Sequence, residues 1–242
     1  MKARVIGVIP SRYAAKRFPG KPLALIAGIP MIVRVIRQAK KAKKLTEIWV
    51  ATDDKRIAEV SEKAGAKSVM TPSNLPSGTD RIAYAMRDVK SDIVVNIQGD
   101  EPVMPPEAVD VVVSLLLDDP KILMSTVVIP LGDPKQWKNP NVVKAVLGHK
   151  NNVLYFSRAP IPHPRDGGIP QAYQHMGLYG YRPAWLQLMA TLTPTPLEMT
   201  EKLEQLRALE NGVVIRAAIQ KFPSIAVDVP ADVKKVERYI KN

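Results

Sequence analysis

Residues 92–102 read DIVVNIQGDEP, and this stretch limits the possible folds more than any other part of the chain. Ile93, Val94, Val95 and Ile97 form an apolar run broken only by Asn96, the pattern of a strand covered on both faces in a parallel sheet. The run stops at Gln98-Gly99-Asp100-Glu101-Pro102. Glycine permits a tight turn or a close backbone approach, and proline cannot continue a strand. In open α/β sheets ligands bind just past the carboxyl ends of the strands, so Asp100 and Glu101 stand where chemistry is expected. A carboxylate there is either a hard oxygen ligand for Mg²⁺ carrying nucleotide phosphates or a solvated acidic turn after a core strand.

The flanking sequence supplies the alternation that such a strand requires. Strands are expected over 4–9, 48–51, 68–70 and 92–97. A helix over 30–45 places Ile32, Val35, Ile36 and Ala39 at i, i+3, i+4 and i+7. A second helix starts after Thr52-Asp53-Asp54, buries Ile57, Val60 and Ala64, and ends at Gly65. A third, over 79–89, aligns Ile82, Ala85, Met86 and Val89. This β-α-β-α-β-α-β order predicts an α/β fold with a Rossmann-like, doubly wound, mostly parallel sheet. A helix over 105–117 follows, and then the rhythm changes. Strands over 123–129, 142–147 and 153–156 are separated by turns, and a loop over 157–171 carries Arg158, His163 and Arg165. The strand over 173–181 has His175 and Tyr179 on one face. A helix over 196–209 carries Glu198, Glu201, Glu204 and Gln205 among its polar positions, a strand spans 213–219, and residues 227–232 open a last helix.

The loop after the first strand, 10–22, reads PSRYAAKRFPGKP and sets Arg12, Lys16, Arg17 and Lys21 beside Gly20. Phosphate recognition needs this combination of donors and positive charge. The loop is neither a Walker loop nor a GxGxxG fingerprint, which weighs against kinase and dinucleotide readings. Lys and Arg number 35 against 23 Asp and Glu, a net charge of +12. Such a field attracts polyanions, whether nucleotides, nucleic acid or an anionic membrane surface. Lys40–Lys44, Lys135–Lys138 and Lys234-Lys235 read as solvated faces, and no aromatic stacking platform for single strands is visible. The absence of cysteine rules out disulfides, thiolate metal sites and cysteine nucleophiles, and it fits a cytoplasmic enzyme. No apolar run approaches the ~20 residues of a membrane span. Residues 1–10 have a basic start and a strand-length apolar run with no small-residue cleavage site, and read as a first strand rather than a signal peptide.

Nine collinear blocks, IPSRYAAKRFPGKPL, VATDD, PSGTDR, VNIQGDEP, NPNVVKAVL, LYFSRAPIP, HMGLYGY, LEQLR and VDVPADV, cover nearly the whole chain. Together they resemble the 3-deoxy-manno-octulosonate (Kdo) cytidylyltransferases, also called CMP-Kdo synthetases. The resemblance implies one nucleotidyltransferase domain over 1–242, with a small mixed α+β insertion at about 130–210 that closes the sugar pocket and forms a homodimer. It implies a cytoplasmic enzyme that uses Mg²⁺ to join CTP and Kdo into CMP-Kdo and pyrophosphate for lipopolysaccharide, with no nucleic-acid partner. Carried across residue by residue, Arg12, Lys21 and Asp100 are the catalytic set, and Arg12, Arg17, Lys21, Ser77, Arg81 and Gln98 contact CTP. Gln98, Arg158, His175, Tyr179, Glu204 and Gln205 face the sugar, and Asp100 and Asp228 bind metal. Two departures stand out: Ala15-Lys16 where the family commonly has hydroxyl residues, and Val229 where threonine is usual before the proline.

The residue chemistry agrees with that resemblance. The nucleophile would be the sugar's own anomeric hydroxyl, so the chain need not supply a serine or cysteine. Nucleotidyl transfer then depends on in-line positioning and charge neutralisation. Competing readings are a cytidylyltransferase for a related acidic sugar (8-amino-Kdo or sialic acid), a basic nucleic-acid-binding protein, and a non-catalytic nucleotide-binding relative.

Overall fold

A computed structural model of the protein describes residues 3–14, 18–168, 170–221 and 225–241. The first half has the expected alternation. β1 (Val5–Ser11) leads to a small hairpin of β2 (Leu25–Ile26) and β3 (Ile29–Pro30), then α1 (Met31–Ala39), β4 (Glu47–Thr52) and α2 (Lys55–Lys63). β5 (Lys67–Met70), α3 (Gly78–Met86), β6 (Ile93–Asn96) and α4 (Pro106–Asp118) follow. The second half comprises β7 (Met124–Leu131), α5 (Pro134–Lys138), β8 (Lys144–Leu147), β9 (Val153–Ser157), β10 (Ala172–Tyr181) and α6 (Pro183–Thr191). It ends with α7 (Pro196–Glu201), α8 (Leu206–Glu210), β11 (Ile215–Ile219) and α9 (Pro230–Lys241).

The main sheet runs β11-β7-β10-β6-β1-β4-β5. β6, β1, β4 and β5 are mutually parallel, and β11 is parallel to β7. β10 is the exception, inserted antiparallel between β6 and β7. Its first residues also pair with β8, Tyr173 opposite Ala145, and β8 pairs in turn with β9. Its last residues pair with β6, Tyr179 opposite Asn96. A register shift between Met176 and Tyr179 separates the two stretches. This one strand therefore joins the β8–β9 hairpin to the parallel sheet.

Both faces of the sheet are covered, which is why β1 and β6 are apolar up to their last residues, Ser11 and Asn96. Ile6, Val8 and Val94 point into one core with Ile82, Met86, Trp185, Leu186 and Leu206 from α3, α6 and α8. Their neighbours Val5, Ile93 and Val95 point into the other, against Ile32, Val35 and Ile36 of α1 and Val109, Val112 and Val113 of α4. Each fully buried Ile or Val contributes roughly 1.5–3 kcal/mol, so these strands anchor the site-bearing loops firmly. Helix starts follow local chemistry: Asp54 caps α2 by accepting from the Arg56 N–H, and Ser77 caps α3 by accepting from the Asp80 N–H.

The continuous helix expected over 196–209 is not present. α7 stops at Glu201, Lys202 adopts a left-handed conformation (φ 55°), and α8 starts only at Leu206. Arg207 explains the break, because its guanidinium clamps Glu198 through Nε–Oε2 (2.7 Å) and Nη2–Oε1 (2.5 Å). A second arm of Arg207 donates to the carbonyls of Met189 and Leu192. Residues 198 and 207 are two and a half turns apart on a straight helix, so α8 must fold back for the pair to form. Glu204 and Gln205 consequently lie in the turn between two helices and not on a helix face.

Candidate active site

The cleft at the carboxyl ends of β1 and β6 has a volume of ≈ 580 Å³. Its lining includes Ser11, Arg12, Phe18, Lys21, Ser77, Arg81, Gln98, Gly99, Asp100 and Asp228. Four segments far apart in sequence converge here: the loop after β1, the start of α3, the turn after β6, and the residues before α9. Arg12, Lys21, Ser77, Arg81, Gln98, Asp100 and Asp228, all expected site residues, therefore share one cavity. Arg17, with Ala15 and Lys16, lies outside the described residues.

Gly20, at φ 69°, turns the chain in a conformation that L-residues rarely adopt and starts the short 3₁₀ turn bearing Lys21. The Lys21 ammonium lies 2.7 Å from Asp100 Oδ2 and donates to the Val227 carbonyl at 3.0 Å. The Val227 N–H in turn donates to the Asp100 carbonyl at 2.9 Å. These bonds bring the segment containing Asp228 against the turn containing Asp100. The missing threonine hydroxyl at Val229 is compensated further along: Asp232 accepts from the N–H groups of Asp228 and Val229, both at 3.1 Å. Its carboxyl is held below the usual carboxylate range, chiefly by the bond from Lys235.

Gly99 sits where a side chain would be crowded, since a Cβ there would lie 3.0 Å from the Pro10 carbonyl and 3.0 Å from Ser11 Oγ. Gln98 faces the other way, its Nε2 donating to Asn96 Oδ1 (3.1 Å) and to the Gly177 carbonyl in the irregular part of β10 (2.7 Å). Arg81 is almost wholly buried, at 2% exposure, and donates to Thr71 Oγ1 and Asp53 Oδ2. Burial lowers its pKa, partly offset by Asp53. Asp53 also accepts from the Tyr13 N–H at 3.2 Å, so it ties the loop after β1 to Arg81. In sequence, Thr52-Asp53-Asp54 reads as a helix start. Asp54 does that work, and the doubled aspartate was the available signal for a second role.

Of the residues expected to face the sugar, Gln98 lines this cleft, whereas Arg158, His175, Tyr179, Glu204 and Gln205 do not, although Glu204 adjoins it. Glu204 accepts from Ser77 Oγ and Thr79 Oγ1, both at 2.8 Å, so the turn between α7 and α8 is bonded directly to the start of α3. Burial raises the Glu204 pKa, against the lowering effect of those two hydroxyls. Gln205 is buried beside it. His175 and Tyr179 do share a face, with rings 5.1 Å apart, and Phe156 packs 4.8 Å from His175. Burial holds the His175 pKa down to about 3 even though part of the side chain reaches solvent, so the imidazole is neutral at physiological pH. Its Nε2 lies 3.1 Å from Thr126 Oγ1. That hydroxyl donates to the Leu178 carbonyl at 2.9 Å, which assigns the ring proton to Nε2. Burial also raises the Tyr179 pKa well above its ordinary value. Arg158 is farther out at the end of β9, where its guanidinium donates to the carbonyls of Glu201 and Pro140. Its own carbonyl accepts from Lys144, a fully buried lysine whose ammonium also bonds the Asn139 and Val142 carbonyls.

The arrangement supplies cations, backbone turns and two carboxylates around a space large enough for a nucleotide. Residues 6–219 match the cytidylyltransferase family model. A 3-deoxy-manno-octulosonate cytidylyltransferase of Myxococcus xanthus is 48% identical over 240 residues, covering 98% of this chain and 97% of that one. Its counterpart in Chloroherpeton thalassium is 42% identical over 240 residues with the same coverage. A solved CMP:2-keto-3-deoxy-manno-octonic acid synthetase in complex with CTP superposes with a TM-score of 0.94 at 37% identity, covering 99% of each chain. The chain therefore belongs to the 3-deoxy-manno-octulosonate cytidylyltransferase family.

Proposed function

We propose that this chain transfers the cytidylyl group of CTP to the anomeric hydroxyl of Kdo, releasing pyrophosphate and forming CMP-Kdo. The observation that carries this reading is the convergence of Arg12, Lys21, Ser77, Arg81, Gln98, Asp100 and Asp228 on one cleft. The loop after β1 and the start of α3 offer the triphosphate and nucleoside side, and the turn after β6 faces both substrates. The protein binds and aligns; the sugar supplies the attacking oxygen, and Arg12 and Lys21 offset negative charge developing on the pyrophosphate leaving group.

Mg²⁺ fits the acidic pair. Asp100 and Asp228 line the same cleft from segments joined by the Val227–Asp100 backbone hydrogen bond. Among the described residues no group of three or more His, Cys, Asp or Glu could hold a metal alone. Magnesium that keeps waters and takes nucleotide phosphate oxygens needs only one or two carboxylates. When bound there it would lower the pKa of the sugar hydroxyl and neutralise phosphate charge.

The sugar-side assignment rests on Glu204 reaching Ser77 and Thr79, and on the enclosed His175–Tyr179 face of β10. The homodimer assignment rests on exposed apolar side chains inside 130–210: Leu154, Leu188, Leu197 and Met199. No helix among the described residues is long and apolar enough to cross a membrane. Together with the absence of cysteine, this suits work on soluble substrates in the cytoplasm.

The experiment is pyrophosphate release with CTP, UTP or ATP, each against Kdo, 8-amino-Kdo, sialic acid and other 2-keto sugar acids. Release with CTP and Kdo at least tenfold above the other pairs is the expected outcome. A preference for another acidic sugar would move the specificity, and no release from any pair would overturn the reading.

A further inference from the structure

Lys21 stands in an unusual place for a residue expected to hold phosphate. Its ammonium lies 2.7 Å from Asp100 Oδ2 and 3.0 Å from the Val227 carbonyl, next to Asp228. The two partners come from segments 79 and 206 residues away, and the Val227 N–H closes the ring onto the Asp100 carbonyl. The side chains are mostly enclosed, 16% exposed for Lys21 and 29% for Asp100, so water screens the pair only partly. One positive charge thus bridges the segments that carry Asp100 and Asp228.

We propose that Lys21 is a placeholder cation: it keeps the Asp100 and Asp228 segments assembled while the cleft is empty and competes with a divalent metal for Asp100. This rests on the cytidylyltransferase reading above, because the exchange requires a ligand that draws Lys21 away. A carboxylate oxygen cannot serve an ammonium at 2.7 Å and a metal ion without loss to one of them, since the two cations repel. A nucleotide triphosphate gives Lys21 an alternative anion and frees Asp100 at the same moment. Metal and nucleotide then bind with positive coupling, each raising the affinity for the other by the same factor. The same exchange keeps a divalent ion from settling in the cleft ahead of the nucleotide.

The test uses the full chain with no nucleotide and Mn²⁺ as the probe, free Mn²⁺ being counted by its electron paramagnetic resonance signal. Lys21→Met is expected to bind Mn²⁺ at least tenfold more tightly than the unaltered protein, and Lys21→Arg, which keeps the charge, to bind as weakly as the original. The gain should vanish in the Lys21→Met/Asp100→Asn double variant, which locates it at Asp100. Should Lys21→Met fail to fold, Lys21→Gln makes the same comparison. Unchanged Mn²⁺ affinity would overturn the proposal and leave Lys21 a phosphate ligand only. Weaker affinity would also overturn it, by showing that the lysine bridge merely supports the site. Pyrophosphate release by the unaltered enzyme decides the cytidylyltransferase reading separately, so the failure of either is recognised without the other.

Discussion

Gly99→Ala tests whether the turn after β6 is as tightly fixed as its surroundings imply. The backbone of Gly99 does not have a positive φ, so alanine meets no conformational barrier of its own. The obstacle is contact. The added methyl would lie 3.0 Å from the Pro10 carbonyl oxygen and 3.0 Å from Ser11 Oγ, with Ile9 Cγ2 at an ordinary 3.5 Å. Relief of both close contacts needs about 0.4 Å of movement, and one of them is to backbone that cannot rotate aside. Overpacking of this kind costs about 1–2 kcal/mol, or roughly 2–8 °C in melting temperature for a chain of this size. The same movement displaces Asp100, the next residue, relative to Lys21. Misplacement by about 1 Å can cost a hundredfold in rate, so a few tenths should cost about tenfold in kcat. Melting curves and pyrophosphate release under saturating CTP and Kdo read the two effects. Ser11 Oγ is buried with no hydrogen-bond partner among the described residues, so Ser11→Ala sacrifices no bond and removes one of the two contacts. The Gly99→Ala/Ser11→Ala double variant should recover about half of each loss. Wild-type stability and kcat in Gly99→Ala would refute the reasoning, by showing that the turn has slack.

Two other predictions concern the supports of the site. Arg207→Met should cost about 3–5 kcal/mol in a urea titration, since it leaves the Glu198 carboxylate, only 12% exposed, without its paired charge; a loss under 1 kcal/mol would mean that water replaces the guanidinium. His175 should make stability pH-dependent: its folded pKa of about 3 lies below the ~6.5 of the unfolded chain, so its contribution is full above about pH 6.5 and is lost as pH falls toward 3. Between pH 7 and pH 5 the unaltered protein should lose about 1–2 kcal/mol more than His175→Gln, and parallel pH profiles for the two would refute it.

The parallel half of the fold was legible because a strand covered on both faces is apolar at nearly every position. That signal is local, and it fixed β1, β4 and β6 to within about two residues. The cleft was legible for a related reason. Its residues lie in short stretches where glycine, proline and charge interrupt apolar runs, as at Gly20-Lys21-Pro22 and Gln98-Gly99-Asp100. Which charges pair across those stretches was not legible. The Lys21–Asp100 contact spans 79 residues and depends on the order of β6 and β1 in the sheet. The antiparallel entry of β10 between β6 and β7 also left no local mark, because its alternation suits either direction.

Residues 196–209 failed in a more instructive way. Met199, Leu203, Leu206 and Leu209 fit a helical stripe, and no glycine or proline interrupts the run after Pro196. The decisive residue is Arg207, whose buried pairing with Glu198 cannot form along a straight helix. Tertiary ion pairing therefore overrides local propensity, and Lys202 accepts a left-handed conformation that lysine seldom adopts. The break changes what Glu204 can do. On an uninterrupted helix, Glu204 and Gln205 would point about 100° apart from a rigid cylinder. In the turn, the Glu204 carboxylate reaches both hydroxyls at the start of α3, while Gln205 is buried at the start of α8. Ser77 thus serves two partners at once, capping α3 through its acceptor and binding Glu204 through its proton. Any movement of the α7–α8 turn must therefore pull on the helix start that lines the cleft, which gives that turn a direct mechanical link to it.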